Sequence, residues 1–262
     1  LIYLVATVPA AAFQLLRDPD VENGLRELAF PVLRAAGLSP NRIRIFVVND
    51  RGLNAFVLDH NAIFLNYGMI LKVKRADMLQ AVIAHEAAHI ANGHLAQRAG
   101  NLKNAQNLSG LGILVALAAA AAGGGEAAAG IAAGAQSAAI RGFFSHTRSE
   151  ESSADRSAAG YLRQSDISPK GLVDLHAIFA GQELLSLGRQ DPYMQSHPLS
   201  RDRVRAAESF LARYGDKAPS NPNADYWFDR VQGKISAFTR PPKWTLRRVQ
   251  EDPPGDVRLM RQ

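Results

Sequence analysis

Between Asp77 and about Arg98 the chain sets Leu79, Val82, Ile83 and Ile90 at helical spacing, and inside that stripe it places His85-Glu86-Ala87-Ala88-His89. Residues four apart project from one face of an α-helix, so the two imidazoles can meet on one tetrahedral zinc while Glu86, one step round, reaches a water held there. Zinc brings that water's pKa towards neutrality, and the carboxylate accepts its proton as hydroxide attacks a peptide carbonyl. The same carboxylate can later protonate the leaving amine. A catalytic zinc site keeps three protein ligands and one open position, so a third donor has to arrive on a different element. The fold must therefore pack a second ligand-bearing segment against this helix. Asp77 is expected to cap it, and Gly93, which continues the stripe of His85 and His89, is expected to mark a close approach of another element. His94 lies off the stripe and reads as a structural histidine.

The third donor is expected from Glu151-Ser152-Ser153-Ala154-Asp155, where two carboxylates stand four apart on a predicted helix running from Glu150 to Leu162. That spacing puts Glu151 on the metal and Asp155 within reach of the free N–H of a ligand histidine, which fixes the imidazole tautomer. The chain has no cysteine, which excludes a thiol nucleophile, a disulfide framework and thiolate zinc sites, and leaves only His and carboxylate as zinc ligands. With 262 residues it can bury a core without cross-links. Its net charge of +6 is spread along the chain and forms no basic stripe, so nucleic acid is not an expected partner.

The surrounding pattern predicts a mostly helical α+β fold. A first helix runs from Pro19 to Ala36 and stops at Gly37. Ile43 to Val48, Ala55 to Leu58 and Ala62 to Leu65, separated by Asn49-Asp50-Arg51-Gly52 and Asp59-His60-Asn61, read as three short strands. Further helices are predicted at Leu172 to Leu187 and Arg201 to Tyr214, with a loop at Asp191 to Ser200 marked by Pro192 and Pro198. The proline-broken tail from Lys217 reads as an appendage. Residues 1–18 open on an apolar stretch, either a trimmed export segment or a buried strand or helix. The Ala- and Gly-rich span 108–140 holds one charged residue, Glu126. Its apolar halves are shorter than the roughly 20 residues a membrane-spanning helix needs. Two helices packed through small side chains are expected, or a hairpin touching a membrane surface.

The HExxH helix, the Glu-x-x-x-Asp pair preceded by Arg148, His197-Pro198-Leu199-Ser200-Arg201-Asp202-Arg203, and Asn54-Ala55-Phe56 followed by an apolar strand and Gly68 together resemble peptidase family M48. The likeness runs from about Pro19 to Ala206 and is strongest to the soluble, exported bacterial branch, whose members carry helical tetratricopeptide repeats after the peptidase domain. It implies a gluzincin-type core with a small sheet against the active-site helix, a peptidase domain over residues 19–215 and an appendage over 216–262 in which the repeats are absent or truncated. It further implies one zinc held by His85, His89 and Glu151, catalysis by Glu86, and an active-site role for His197 with Arg203 nearby. His197 would either donate a hydrogen bond to the oxyanion or occupy the open zinc position and hold the enzyme latent. Asn54, Ala55 and Phe56, at an exposed sheet edge, would pair with unfolded or extended polypeptide. The expected activity is endopeptidase cleavage of misassembled envelope proteins in the periplasm, with membrane-surface contact through 108–140. The alternative is a zinc-stabilised chaperone or assembly factor with a silent site.

Overall fold

Asp18 starts the first helix, α1 (Pro19–Ala35), by accepting the backbone N–H groups of Asp20 and Val21, and Pro19 at the first helical position needs no donor there. Val21, Leu25, Leu28, Val32 and Leu33 face the core. The helix ends before Gly37, whose φ of +70° is the left-handed stop expected at that residue. The computed structural model describes residues 14–97, 100, 147–216 and 218–251. The export segment or buried element expected at residues 1–13, and the packed helices or membrane-surface hairpin expected at 108–140, lie outside the described residues. Among those residues no helix is long and apolar enough to cross a membrane.

The three expected strands are present as β2 (Arg44–Val48), β3 (Ala55–Asp59) and β4 (Ala62–Asn66), joined by a two-residue strand, β1 (Leu15–Leu16), too short to carry a period-2 signal. Their order is β1-β2-β4-β3, with β2 and β4 parallel and the other pairs antiparallel, so β3 stands at an edge. Ile45, Val47, Ile63 and Leu65 turn one face to the core, while Phe56 stacks on Phe64 with ring centroids 5.2 Å apart. Helix α2 (Tyr67–Lys72) follows directly. Gly68 lets it close on the preceding turn, because a Cβ there would lie 2.0 Å from the Arg51 carbonyl oxygen.

Helix α3 (Ala76–Ala91) carries the HExxH motif beneath the sheet, as the fold reading anticipated, but two details differ. Asp77 does not cap it; Arg75 is the N-cap residue, and Asp77, in the first turn, pairs with Arg75 at 2.9 Å. The helix also stops at Asn92 and does not run on to Arg98. Gly93 has φ +70°, which breaks the helix, and among the described residues a Cβ on it would meet nothing within 4 Å, so its conformation and no close approach of a described element accounts for this glycine.

Residues 147–164 form α4. Helix α5 (Lys170–Phe179) is shorter than predicted: Gly181, at φ +87°, ends it, and 3-10 turns at Gln182–Leu184 and Leu187–Arg189 follow. The expected loop before His197 holds a short helix, α6 (Pro192–Ser196). Ser200 then caps α7 (Arg201–Tyr214) by accepting from the Arg203 amide.

The tail differs most from its reading as an appendage. Helix α8 (Pro222–Thr239) lies along α1 and adds Phe228, Val231 and Ile235 to the same core as Leu25 and Leu28. The two helices approach so closely that a Cβ on Gly24 would sit 2.6 Å from a Val231 methyl. Arg230 pairs with Asp20 at 2.9 Å and Lys234 with Asp18 at 2.9 Å. The prolines delimit α8 and the following α9 (Pro242–Glu251); they do not detach them.

Candidate active site

Helix α3 is almost wholly enclosed, so His85, Glu86 and His89 sit in the interior at 0–1% exposure. A buried imidazole or carboxylate needs partners. These come from two other elements: α4 presents Glu151 and Asp155, and the α6–α7 turn presents His197 and Arg203, all buried. One ligand atom each from His85, His89, Glu151 and His197 falls within a group no wider than 4.8 Å. The Nε2 atoms of His85 and His89 are 3.1 Å apart, and His85 Nε2 lies 3.2 Å from Glu151 Oε2. His197 Nδ1 approaches Glu151 Oε2 at 3.1 Å and His85 Nε2 at 3.3 Å. Converging imidazole nitrogens around one carboxylate suit a cation, and two imidazoles with a carboxylate are a donor set that zinc accepts. The residues present therefore fit the metal that the motif implies.

Asp155 orients this set from behind. Its Oδ1 accepts from His85 Nδ1 at 3.0 Å, which directs the His85 Nε2 lone pair inward. Arg203 grips the same carboxylate with two bonds, Nε to Oδ2 at 2.6 Å and Nη2 to Oδ1 at 2.8 Å. Its Nη1 donates to the Pro198 carbonyl at 2.8 Å, so one guanidinium fixes both the ligand's backing carboxylate and the turn that holds His197. Burial alone would lower the His85 pKa, but the hydrogen bonds and charges of Asp155 and Glu151 outweigh it and raise the pKa to about 9. Burial would raise both carboxyls, yet His197 and His85 hold Glu151 well below the usual carboxylate range, and His176, His85 and Arg203 do so for Asp155.

All seven residues named around the motif thus meet at one point. Of the three placed at the sheet edge, Ala55 reaches it: its carbonyl accepts from His197 Nε2 at 3.2 Å. Asn54 lies beside it with a buried side-chain oxygen that has no hydrogen-bond partner among the described residues, whereas the Phe56 ring stacks on Phe64. Three neighbours of the cluster escaped the sequence reading. The Tyr193 ring is 4.6 Å from that of His197, and burial followed by the charge of Glu86 raises its phenol well above its usual pKa. His176 Nε2 stands 3.4 Å from Asp155 Oδ2. His94, read as structural, has Nδ1 3.0 Å from the Nδ1 of His89. Tyr193, four residues before His197, was the one with a local spacing signal.

Comparison with known proteins gives the chain its relatives. The chain is 23% identical to the beta-barrel assembly-enhancing protease of Yersinia pestis over 85% of its length and 45% of that protein. To the protein of the same name from Escherichia coli (strain K12) it is 25% identical over 74% of the chain and 40% of the relative. Metalloprotease LoiP of the same organism is 28% identical over 68% of the chain and 66% of its own length. The chain spans about half the length of the first of these curated relatives. A family model described as Peptidase family M48 matches residues 15–211, three quarters of the chain and every residue of the cluster, so the chain belongs to peptidase family M48.

Proposed function

We propose that this chain is a zinc endopeptidase that cleaves unfolded or misassembled envelope proteins, holding one zinc through His85, His89 and Glu151. The observation that carries the proposal is the buried convergence of these donors with His85 backed by Asp155. When bound, zinc polarises the scissile carbonyl and acidifies the attacking water. Glu86, next to the first ligand on α3, takes the water's proton on a carboxylate oxygen and delivers it to the leaving amine nitrogen. Asp155 and Arg203 keep His85 in its binding tautomer. The β3 edge at Asn54 and Ala55 pairs with the backbone of an extended polypeptide, and the side-chain oxygen of Asn54, which has no hydrogen-bond partner among the described residues, supplies an acceptor for a substrate N–H. Backbone pairing tolerates many sequences. The names of the relatives concern beta-barrel assembly, which supports envelope substrates and a periplasmic location.

A second reading is favoured by the placement of His197. Its Nδ1 faces the ligand cluster, and its Nε2 donates to the Ala55 carbonyl that substrate would need. The Tyr193 amide likewise occupies the Leu53 carbonyl, at 3.0 Å. This is the arrangement of a latent site, and of an assembly factor if the turn never opens. Casein cleavage with and without chelator, beside Glu86→Gln at equal zinc content, tests the enzyme. Cleavage that chelation abolishes, and that Glu86→Gln reduces about 10²–10⁴-fold, supports it. Inert wild type with an active His197→Ala supports latency; if both are inert, the assembly-factor reading replaces the peptidase.

A further inference from the structure

His94 has no place in the HExxH motif. In an uninterrupted helix it could not touch His89, because five residues turn the chain through about 500°, leaving the two side chains roughly 140° apart. The break at Gly93, with φ +70°, removes that separation by turning the backbone, so that His94 folds back onto the end of its own helix. There it is buried at 3% exposure, with its ring edge-on to His89 at 73° and centroids 4.9 Å apart. The Nδ1 atoms of the two rings are 3.0 Å apart, a hydrogen-bond distance.

We infer that His94 is a positioning residue for the metal: its Nδ1 accepts the Nδ1–H of His89 and thereby holds the His89 Nε2 lone pair toward the ligand cluster. One of two facing imidazole nitrogens must carry the proton and the other must accept it. His89 Nε2 points at His85 Nε2 and lies 3.5 Å from Glu151 Oε1, so a His89 that binds metal through Nε2 has its proton on Nδ1. His94 then accepts, and its own proton resides on Nε2. The two ligand histidines are consequently backed by different chemistry, His85 by a carboxylate gripped by Arg203 and His89 by an imidazole supplied from the same helix end. This inference rests on the reading of His89 as a zinc ligand.

The test uses the full zinc-loaded chain with ¹⁵N-labelled histidines and needs no substrate. Long-range ¹H–¹⁵N spectra at neutral pH are expected to show His94 protonated on Nε2 and His89 on Nδ1, with the His89 Nε2 resonance shifted on zinc addition. A His94 protonated on Nδ1 overturns the inference and leaves the zinc site intact. A His89 Nε2 that does not respond to zinc overturns the ligand reading itself. Variants then probe the contact through loss of zinc to excess chelator. His94→Phe, which keeps a ring and removes the acceptor, is expected to weaken zinc binding about ten- to a hundredfold. His94→Asn, whose Oδ1 can stand where Nδ1 stood, is expected to stay within about threefold of wild type, in the range typical of a retained hydrogen bond. Equal zinc retention in wild type and His94→Phe, or equal loss in both variants, overturns the hydrogen-bond role.

Discussion

Asp155→Asn is the substitution through which the site's electrostatics are most directly measurable. Asn has the same shape, yet Asp155 uses both oxygens as acceptors: Oδ1 for His85 Nδ1 and Arg203 Nη2, and Oδ2 for Arg203 Nε. If Asn keeps its oxygen toward His85, its NH₂ faces Arg203 Nε, which lies 2.6 Å from the oxygen it replaces; if it flips, the NH₂ faces His85 and Nη2. Either way donors oppose donors, and the buried guanidinium loses its closest counter-charge. Removing one partner of a buried ion pair costs about 3–5 kcal/mol. Glu151 Oε2, 3.4 Å from Arg203 Nη1, offsets part of this, so the lower half of that range is expected. At about 2–4 °C per kcal/mol for a chain of this size, the melting temperature should fall by roughly 6–20 °C over the whole range. Thermal unfolding by circular dichroism, with chelator present so that metal loss does not contribute, reads this directly. The double variant Asp155→Asn/Arg203→Met should lose less than the two single changes together, because the orphaned cation is gone. An Asp155→Asn protein melting within 2 °C of wild type would refute the reasoning.

Zinc affinity should rise with pH. His85 in the folded chain has its pKa raised to about 9, against 6.5 ordinarily, so below that value the metal must displace a proton. For that single proton the gain is up to about tenfold per pH unit through neutrality, fading as pH nears 9, and chelator competition at three pH values measures it; an affinity flat from pH 6.5 to 8.5 sinks the idea. Gly171→Ala should destabilise, since a methyl there lies 2.3 Å from the Asp77 carbonyl oxygen and only backbone movement relieves the contact. A loss of about 1–3 kcal/mol is expected in denaturant titrations. Gly160→Ala is the counterpart: it sits within α4 with nothing among the described residues within 4 Å of the added carbon, and should gain up to about 1 kcal/mol through helix propensity.

What was legible in the sequence is what depends on local spacing. His85, Glu86 and His89 are set by one helical turn, and Glu151 with Asp155 by another. The turn after His197 brought Arg203 with it because Ser200 caps α7 immediately beyond. What was illegible depends on backbone direction or on contacts distant in sequence. His94 becomes a neighbour of His89 only through the left-handed Gly93, so counting along an ideal helix led away from it. His176, on α5, meets Asp155, on α4, across the packing of two helices, and no local pattern announces that. The tail misled for a different reason: Pro222 and Pro242 were read as breaks between loose pieces, whereas each starts a helix, where its missing N–H costs nothing.

The clasp between α1 and α8 also sets the order in which the molecule is made. Asp20 and Arg230 are 210 residues apart, and the apolar strip of Leu25 and Leu28 shares its core with Val231 and Ile235. At about 5–20 residues per second of synthesis, that strip leaves the ribosome roughly 10–40 s before the helix that lies along it. Through that interval α1 can pack on β2 and α3 but not on α8, and the long loop must close before burial of its remaining face rewards the chain. The face of α1 that α8 covers therefore has its final partner only once Pro222–Thr239 has emerged.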